Sequence, residues 1–209
     1  MKASPAVFKS VKDLIKSRVS RKGGGWVFTP AQFLDLGSRK SVDMALARLT
    51  DQGTIRRIAR GLYDYPKQHP KLGPLSPSPD AIANALSQRD QIRLQPTGAY
   101  AMNLLGLSQQ IPAQIVYLTD ATTRTLQVGN QVIQLKRSTP KMMATAGKIS
   151  GLVIQAFRYL GNGNITPVHL DILSQKLTPA QKKELQHDYI YSPTWMHPHL
   201  LKIAQSPPP

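Results

Sequence analysis

Six cations lie between Arg39 and Arg60: Arg39, Lys40, Arg48, Arg56, Arg57 and Arg60. An arginine guanidinium can give two hydrogen bonds to the O6 and N7 of a guanine, and a lysine can do so less rigidly. Either can neutralise a phosphate. Ser38 and Ser41 flank the first two cations. Their hydroxyls, with the first backbone N–H groups of a helix, suit phosphate oxygens. The chemistry these residue types offer is recognition of a nucleic acid.

Bond-making chemistry finds less material. The five histidines are His69, His169, His187, His197 and His199, and Glu184 is the only glutamate. A paired-carboxylate mechanism is hard to build from so few acids. His197 and His199 could share a metal only on an extended segment, with no third ligand nearby in sequence. Gly23-Gly24-Gly25 is not followed by the Lys-Ser/Thr of a phosphate loop. No catalytic residue, metal ligand set or cofactor is assigned.

The elements that must position the cations can be read from capping and periodicity. Thr29-Pro30 is a helix start, a capping side chain followed by proline at the first helical position, and predicts a short helix over Pro30–Leu36. Gly37 permits a tight turn and Ser38 caps a second helix. Val42, Ala45, Leu46 and Leu49 give that helix one apolar face, which leaves Arg39, Lys40, Asp43, Met44, Ala47 and Arg48 off it. Gly53 ends it. Ile55–Ala59 and Leu62–Tyr65 read as strands around an Arg60-Gly61 turn, with Trp26-Val27-Phe28 as a short pairing strand. Helix, turn, helix and basic hairpin is the layout of a winged helix-turn-helix. Strand alternation puts Arg56 and Arg57 on opposite faces and leaves open which one meets a ligand. Arg60 at the hairpin tip suits a phosphate or minor-groove contact. Tyr63 and Tyr65 read as packing and rim residues.

Charge supports this layout. The 209 residues carry 27 Lys+Arg against 11 Asp+Glu, net +16, a surplus that attracts a polyanion. Residues 1–71 hold 15 basic and 5 acidic groups, net +10, whereas residues 72–209 hold 12 and 6, net +6. An anionic membrane surface is the competing partner, but the cations are not gathered on one long amphipathic helix. No apolar run approaches the roughly 20 residues of a membrane span, and the charged first residues lack a signal-peptide core. There is no cysteine, which excludes disulfides and cysteine-held metal centres. A cytoplasmic location is expected.

The rest of the chain reads as an α+β protein. Residues 4–20 predict a helix opened by Ser4-Pro5, with Val7, Val11, Leu14 and Ile15 as its stripe and Lys9, Lys12, Lys16 and Arg18 mostly off it. The expected domains are 1–68, a winged helix-turn-helix; 69–79, a proline-rich linker; and 80–205, a mixed domain with a small antiparallel sheet and several helices. In that domain Pro79–Arg89 reads as a helix and Ile92–Leu94 and Gln114–Leu118 as strands. Thr125–Val128 and Gln131–Arg137 read as a hairpin turning at Gly129-Asn130. Helices follow over Thr145–Leu160, after Thr166-Pro167 and Thr178-Pro179, and within Pro193–Gln205.

Two segments together resemble a known family. They are L-A-R-L-T-D-Q-G-T-I-R-R-I-A-R-G-L-Y (Leu46–Tyr63) and P-T-G-A-Y-A-M-N-L-L-G-L-S-Q-Q-I-P-A-Q-I-V-Y-L-T-D (Pro96–Asp120). The chain from about Val7 to Leu160 resembles the AbiEi-like antitoxins of bacterial abortive-infection (type IV) toxin–antitoxin systems. The second segment is the more specific one. The resemblance implies an N-terminal winged helix that binds inverted repeats in its own promoter and represses the operon. It implies a C-terminal domain that opposes a nucleotidyltransferase toxin, without a stable complex. Carried over by position, the DNA-binding residues are Ser38, Arg39, Lys40, Ser41, Arg48, Arg56, Arg57 and Arg60. In the second domain Tyr117, Thr119, Asp120 and Arg124 are the polar candidates, and an ion pair between Asp120 and Arg124 is the competing expectation for those two. Gly98, Tyr100, Asn103, Leu105 and Gly106 read as a structural helix.

The expected function is therefore an antitoxin and DNA-binding autorepressor, with two copies meeting on a palindromic operator. A protein- or RNA-binding module with secondary DNA binding is the alternative, motivated by Lys136, Arg137, Lys141 and Lys148. A nuclease or nucleotidyltransferase is a third reading that lacks its carboxylates.

Overall fold

The structure, a computed structural model, describes residues 10–129 and 131–207. The expectations for Ser4-Pro5, Val7 and Lys9 lie outside them. The chain forms two compact units, Met1–Gln91 and Ile92–Pro209.

In the first unit, α1 (Val11–Lys22) starts at Ser10, whose hydroxyl and backbone N–H exchange hydrogen bonds with Asp13 in a capping box. The expected helix over Pro30–Leu36 is a single 3-10 turn, Pro30–Phe33. Thr29 and Gln32 box its start (Thr29 N to Gln32 Oε1, 3.4 Å). The capping signal is obeyed, but the coil stops at Phe33: the next residue, Leu34, is exposed, and Leu36 reaches the core from outside the helical turn. Gly37 has an ordinary backbone; its use is space, because a Cβ there would sit 3.0 Å from Val11 Cγ2. Next, α2 runs Arg39–Asp51.

A three-stranded antiparallel sheet follows. Its strands are β1 (Val27–Phe28), β2 (Arg56–Ala59) and β3 (Leu62–Asp64), ordered β1-β3-β2. Phe28 lies opposite Tyr63 and Arg57 opposite Tyr63 from the other side, with a bulge between Arg57 and Ala59. Ile15, Val19, Phe28, Phe33, Val42, Leu46, Leu49 and Ile55 form the core. Burying each such side chain is worth about 1.5–3 kcal/mol. Phe28 packs edge-on to Phe33 (5.4 Å) and stacked on Tyr63 (6.1 Å).

The segment expected to be an irregular linker contains a two-residue ladder, β4 (Gln68–His69) with β5 (Gly73–Pro74). After it comes α3 (Pro79–Asp90), capped by Ser78. Because α3 belongs to the first unit, the division falls after Gln91 and not near residue 79. Prolines mark where regular structure breaks, which is not always where packing ends.

The second unit carries β6 (Leu94–Pro96), α4 (Gly98–Leu105), β7 (Gln114–Thr119), β8 (Arg124–Val128) and β9 (Gln131–Arg137). Its sheet is ordered β6-β7-β9-β8. It is mixed, not antiparallel, because β7 and β9 run parallel from Gln114–Val132 to Thr119–Arg137. The hairpin β8–β9 forms as expected, yet β9 inserts between β7 and β8. Burial explains the order. Ile133 and Leu135 of β9 are fully buried, whereas β8 alternates partly buried and exposed residues and suits an edge. The helices are α5 (Pro140–Met143), α6 (Ile149–Leu160), α7 (Pro167–Lys176), α8 (Pro179–Asp188) and α9 (His197–Gln205). The helix expected from Thr145 thus begins at Ile149. Met102, Leu105, Val153, Phe157, Leu173, Leu185, Leu200 and Ile203 join α4 and α6–α9 in one core. No helix among the described residues is long and apolar enough to cross a membrane.

Candidate nucleic-acid interface

Ser38 caps α2 in extended geometry (φ −61°, ψ 155°), and its Oγ accepts a hydrogen bond from Ser41 N at 3.3 Å. The two hydroxyls also lie 2.8 Å apart. The serines expected to meet phosphates are thus engaged first in building the helix end. Val42, Ala45, Leu46 and Leu49 are buried, which turns Arg39, Lys40, Asp43, Met44, Ala47 and Arg48 outward, all exposed. On this face Arg39 Nε donates to both carboxylate oxygens of Asp43, at 2.9 and 3.1 Å.

The turn before α2 is tied down by Arg18. Its Nη1 donates to Gln32 O and Asp35 Oδ1, both at 2.8 Å, and its Nη2 to Asp35 Oδ2 at 2.6 Å. That fork holds the Asp35 carboxyl below its ordinary range and raises the Arg18 guanidinium. Arg18 is therefore a structural brace, not part of a free basic face.

The hairpin separates its arginines as alternation required. Arg56 turns inward: Nε donates to Asp64 Oδ1 at 3.0 Å, and Nη2 donates to Asp64 Oδ2 and to Leu75 O. Asp64 is fully buried, and its hydrogen bonds push the Arg56 guanidinium upward. Arg56 is thus engaged within the hairpin itself, whereas Arg57, its neighbour on the opposite side of β2, is exposed. Arg60 is exposed at the tip. Its carbonyl accepts from Arg89 Nη1 of α3 at 2.7 Å, and Arg89 is itself forked onto Asp90 at 2.7 and 3.0 Å. Nothing in the sequence marked Arg89 as a brace for the hairpin, because proline punctuation had put it in another domain. Among the described residues no ion pair involves Lys40, Arg48, Arg57 or Arg60.

The second unit treats its candidates differently. Tyr117 is buried, 2% exposed, and packs edge-on to Tyr100 at 5.8 Å. It is a core residue. Asp120 does not pair with Arg124; it accepts from Arg93 N at 3.0 Å and Arg93 Nε at 2.8 Å, and that partner lowers its pKa. Arg124 is partly buried on β8, opposite Leu135, which in turn lies opposite Tyr117. Tyr117 and Arg124 therefore share a face two strand spacings apart, about 10 Å. The helix read as structural is so: Asn103 Nδ2 donates to Ser108 O and Gln110 O, closing the loop behind α4.

The densest titratable cluster is one the sequence did not disclose. Asp188, fully buried, accepts from Lys148 Nζ (2.9 Å) and Ser150 Oγ (2.7 Å) and contacts His187 Nδ1 (2.8 Å). Glu184 Oε1 accepts from Ser150 N at 2.9 Å. Ser150 is itself fully buried, and the cluster fastens α8 to the start of α6. His197 and His199 pack edge-on to Tyr189 and Phe157, and no group of metal-ligating side chains forms among the described residues.

Residues 11–186 match DUF6088, described as a family of unknown function. No curated protein matches the chain. Among solved structures, the crystal structure of the RV2827C protein from Mycobacterium tuberculosis is similar at a TM-score of 0.47 and 16% identity, covering 99% of this chain and 82% of that one.

Proposed function

Because this chain belongs to the DUF6088 family, whose description assigns no activity, we propose from the chain's own residues that it is a sequence-specific DNA-binding autorepressor. We read its first unit as a winged helix-turn-helix. One observation carries this reading: α2 buries its apolar face completely and turns Arg39, Lys40 and Arg48 outward, while the hairpin exposes Arg57 and Arg60. A helix start in the major groove with a basic hairpin beside it needs that distribution. The antitoxin role, opposing a nucleotidyltransferase toxin encoded beside it, is the companion proposal; it is supported by the Pro96–Asp120 resemblance.

A mobility-shift titration on the DNA upstream of the gene tests the repressor. Arg39→Ala loses discrimination between that DNA and a random duplex, and Arg60→Ala weakens both evenly. Log affinity falls linearly with log salt as counterions are released. Equal affinity for every duplex sinks the reading. Co-expression with the neighbouring toxin gene tests the antitoxin role, with restored growth as the expected result.

A second reading, binding of RNA or a protein by the second unit, is favoured by Lys136, Arg137 and Lys141. These are exposed at the end of β9 and the start of α5. Lys148 does not join them, since Asp188 holds it.

A further inference from the structure

We propose that Asp43 sets the specificity of the interface by fixing how Arg39 presents its guanidinium. The inference rests on the DNA-binding reading and deepens it. Arg39 is the first residue of α2, and Asp43 lies one turn later on the same exposed face. Both oxygens of Asp43 accept from Nε of Arg39, at 2.9 and 3.1 Å. Guanidinium donors lie in one plane. With Nε occupied, Nη1 and Nη2 remain as an end-on fork, directed away from the helix. That fork matches the O6 and N7 acceptors of one guanine.

The pair is poorly suited to stabilising the helix, which is why a recognition role accounts for it better. A cation at the first helical position opposes the macrodipole. The order of the pair, cation first and acid four residues later, is the weaker of the two i,i+4 orders. Both side chains are largely exposed, 61% and 49%, where an ion pair contributes little to folding. A carboxylate on a DNA-facing surface also repels phosphates. It therefore costs affinity for any duplex and is compensated only where Arg39 finds its base. Asp43 makes Arg39 a base reader and suppresses its use as a phosphate clamp.

The test uses the full chain, the upstream duplex, a random duplex of equal length, and upstream duplexes in which single guanines are replaced by 7-deazaguanine, which lacks the N7 acceptor. Circular dichroism confirms that the variants keep their helix. The wild-type protein is expected to lose about tenfold in affinity at one 7-deazaguanine position, the low end of the discrimination given by one bidentate pair. D43N is expected to bind the random duplex more tightly, to lose about tenfold in the upstream-to-random ratio, and to become insensitive to that position. Arg39→Lys, which lacks the planar fork, is expected to lose the same sensitivity. If D43N keeps both the ratio and the 7-deazaguanine response, the proposal is overturned while the DNA-binding reading stands. A wild-type protein that binds all duplexes equally overturns both.

Discussion

Arg56 and Asp64, facing each other across the β2–β3 hairpin, form a two-pronged ion pair in which the carboxylate is fully buried and the guanidinium side chain is 34% exposed. The inequality matters. Removing the arginine strands a buried charge, whereas neutralising the acid leaves an arginine that can still reach water and the Leu75 carbonyl. Arg56→Ala is therefore expected to destabilise the first unit by about 3 kcal/mol, the lower end for breaking a buried pair. Asp64→Asn should cost about 2 kcal/mol. Urea midpoints measured at constant slope distinguish the two, and equal midpoints would show that the burial asymmetry has no energetic weight.

Arg57, the neighbour of Arg56 on the opposite face of β2, carries the reverse expectation. Arg57→Ala leaves the urea midpoint within about 0.5 kcal/mol of the wild type, as for an exposed side chain without structural partners. Its effect appears on DNA, as weaker binding to all sequences and a salt slope reduced by about 1. If Arg57→Ala unfolds the protein and Arg56→Ala spares it, the assignment of the two arginines is reversed.

Gly151, in the first turn of α6, has no room for a methyl group. A Cβ there would stand 2.2 Å from Thr145 O and 2.6 Å from Gln95 Oε1, and the first of these is backbone. Gln95 is 1% exposed and its Oε1 accepts from Gly147 N at 3.2 Å, so it cannot swing away freely. Gly151→Ala is expected to cost at least about 3 kcal/mol, the upper range for overpacking. A thermal unfolding scan that shows no loss would mean the loop between α5 and α6 yields.

Asp188 makes stability depend on acid pH. Burial alone would raise its pKa, but hydrogen bonds from His187, Lys148 and Ser150 outweigh burial and bring it below the usual carboxylate value. A carboxyl whose folded pKa lies below its unfolded value of about 3.9 stabilises the fold above that pH. The contribution is lost as pH falls through the folded value. Asp35 and Asp120, lowered by Arg18 and Arg93, act in the same direction. Stability is thus expected to fall below about pH 4. Ser150→Ala and Asp188→Asn should both lower the unfolding midpoint at pH 7 and flatten the acid limb. An acid limb as steep in Asp188→Asn as in the wild type would assign it to other carboxylates.

The residues of α2 show what local sequence could determine. Ser38 as cap, the Val42/Leu46/Leu49 face, and the outward set from Arg39 to Arg48 follow from capping and a 3.6-residue period, which act within a few residues. The Arg60-Gly61 turn and the Thr-Pro starts of α7 and α8 were legible for the same reason. Partners distant in sequence were not. Arg56 and Arg57 are chemically identical neighbours, and only the approach of Asp64 and Leu75 makes one structural and leaves the other exposed. Asp120 lies nearer to Arg124 in sequence, yet sheet order brings it Arg93 from 27 residues away. Likewise β9 pairs in parallel with β7 because a central place buries Ile133 and Leu135, a gain that depends on the whole sheet. The sequence by itself determined where α2, α7 and α8 start, where the β2–β3 and β8–β9 hairpins turn, and which face of α2 is apolar, because those choices rest on local periodicity and capping. Tertiary structure alone decided which cations are consumed by carboxylates and which remain exposed, because ion pairing and burial depend on groups that the chain brings together only when folded.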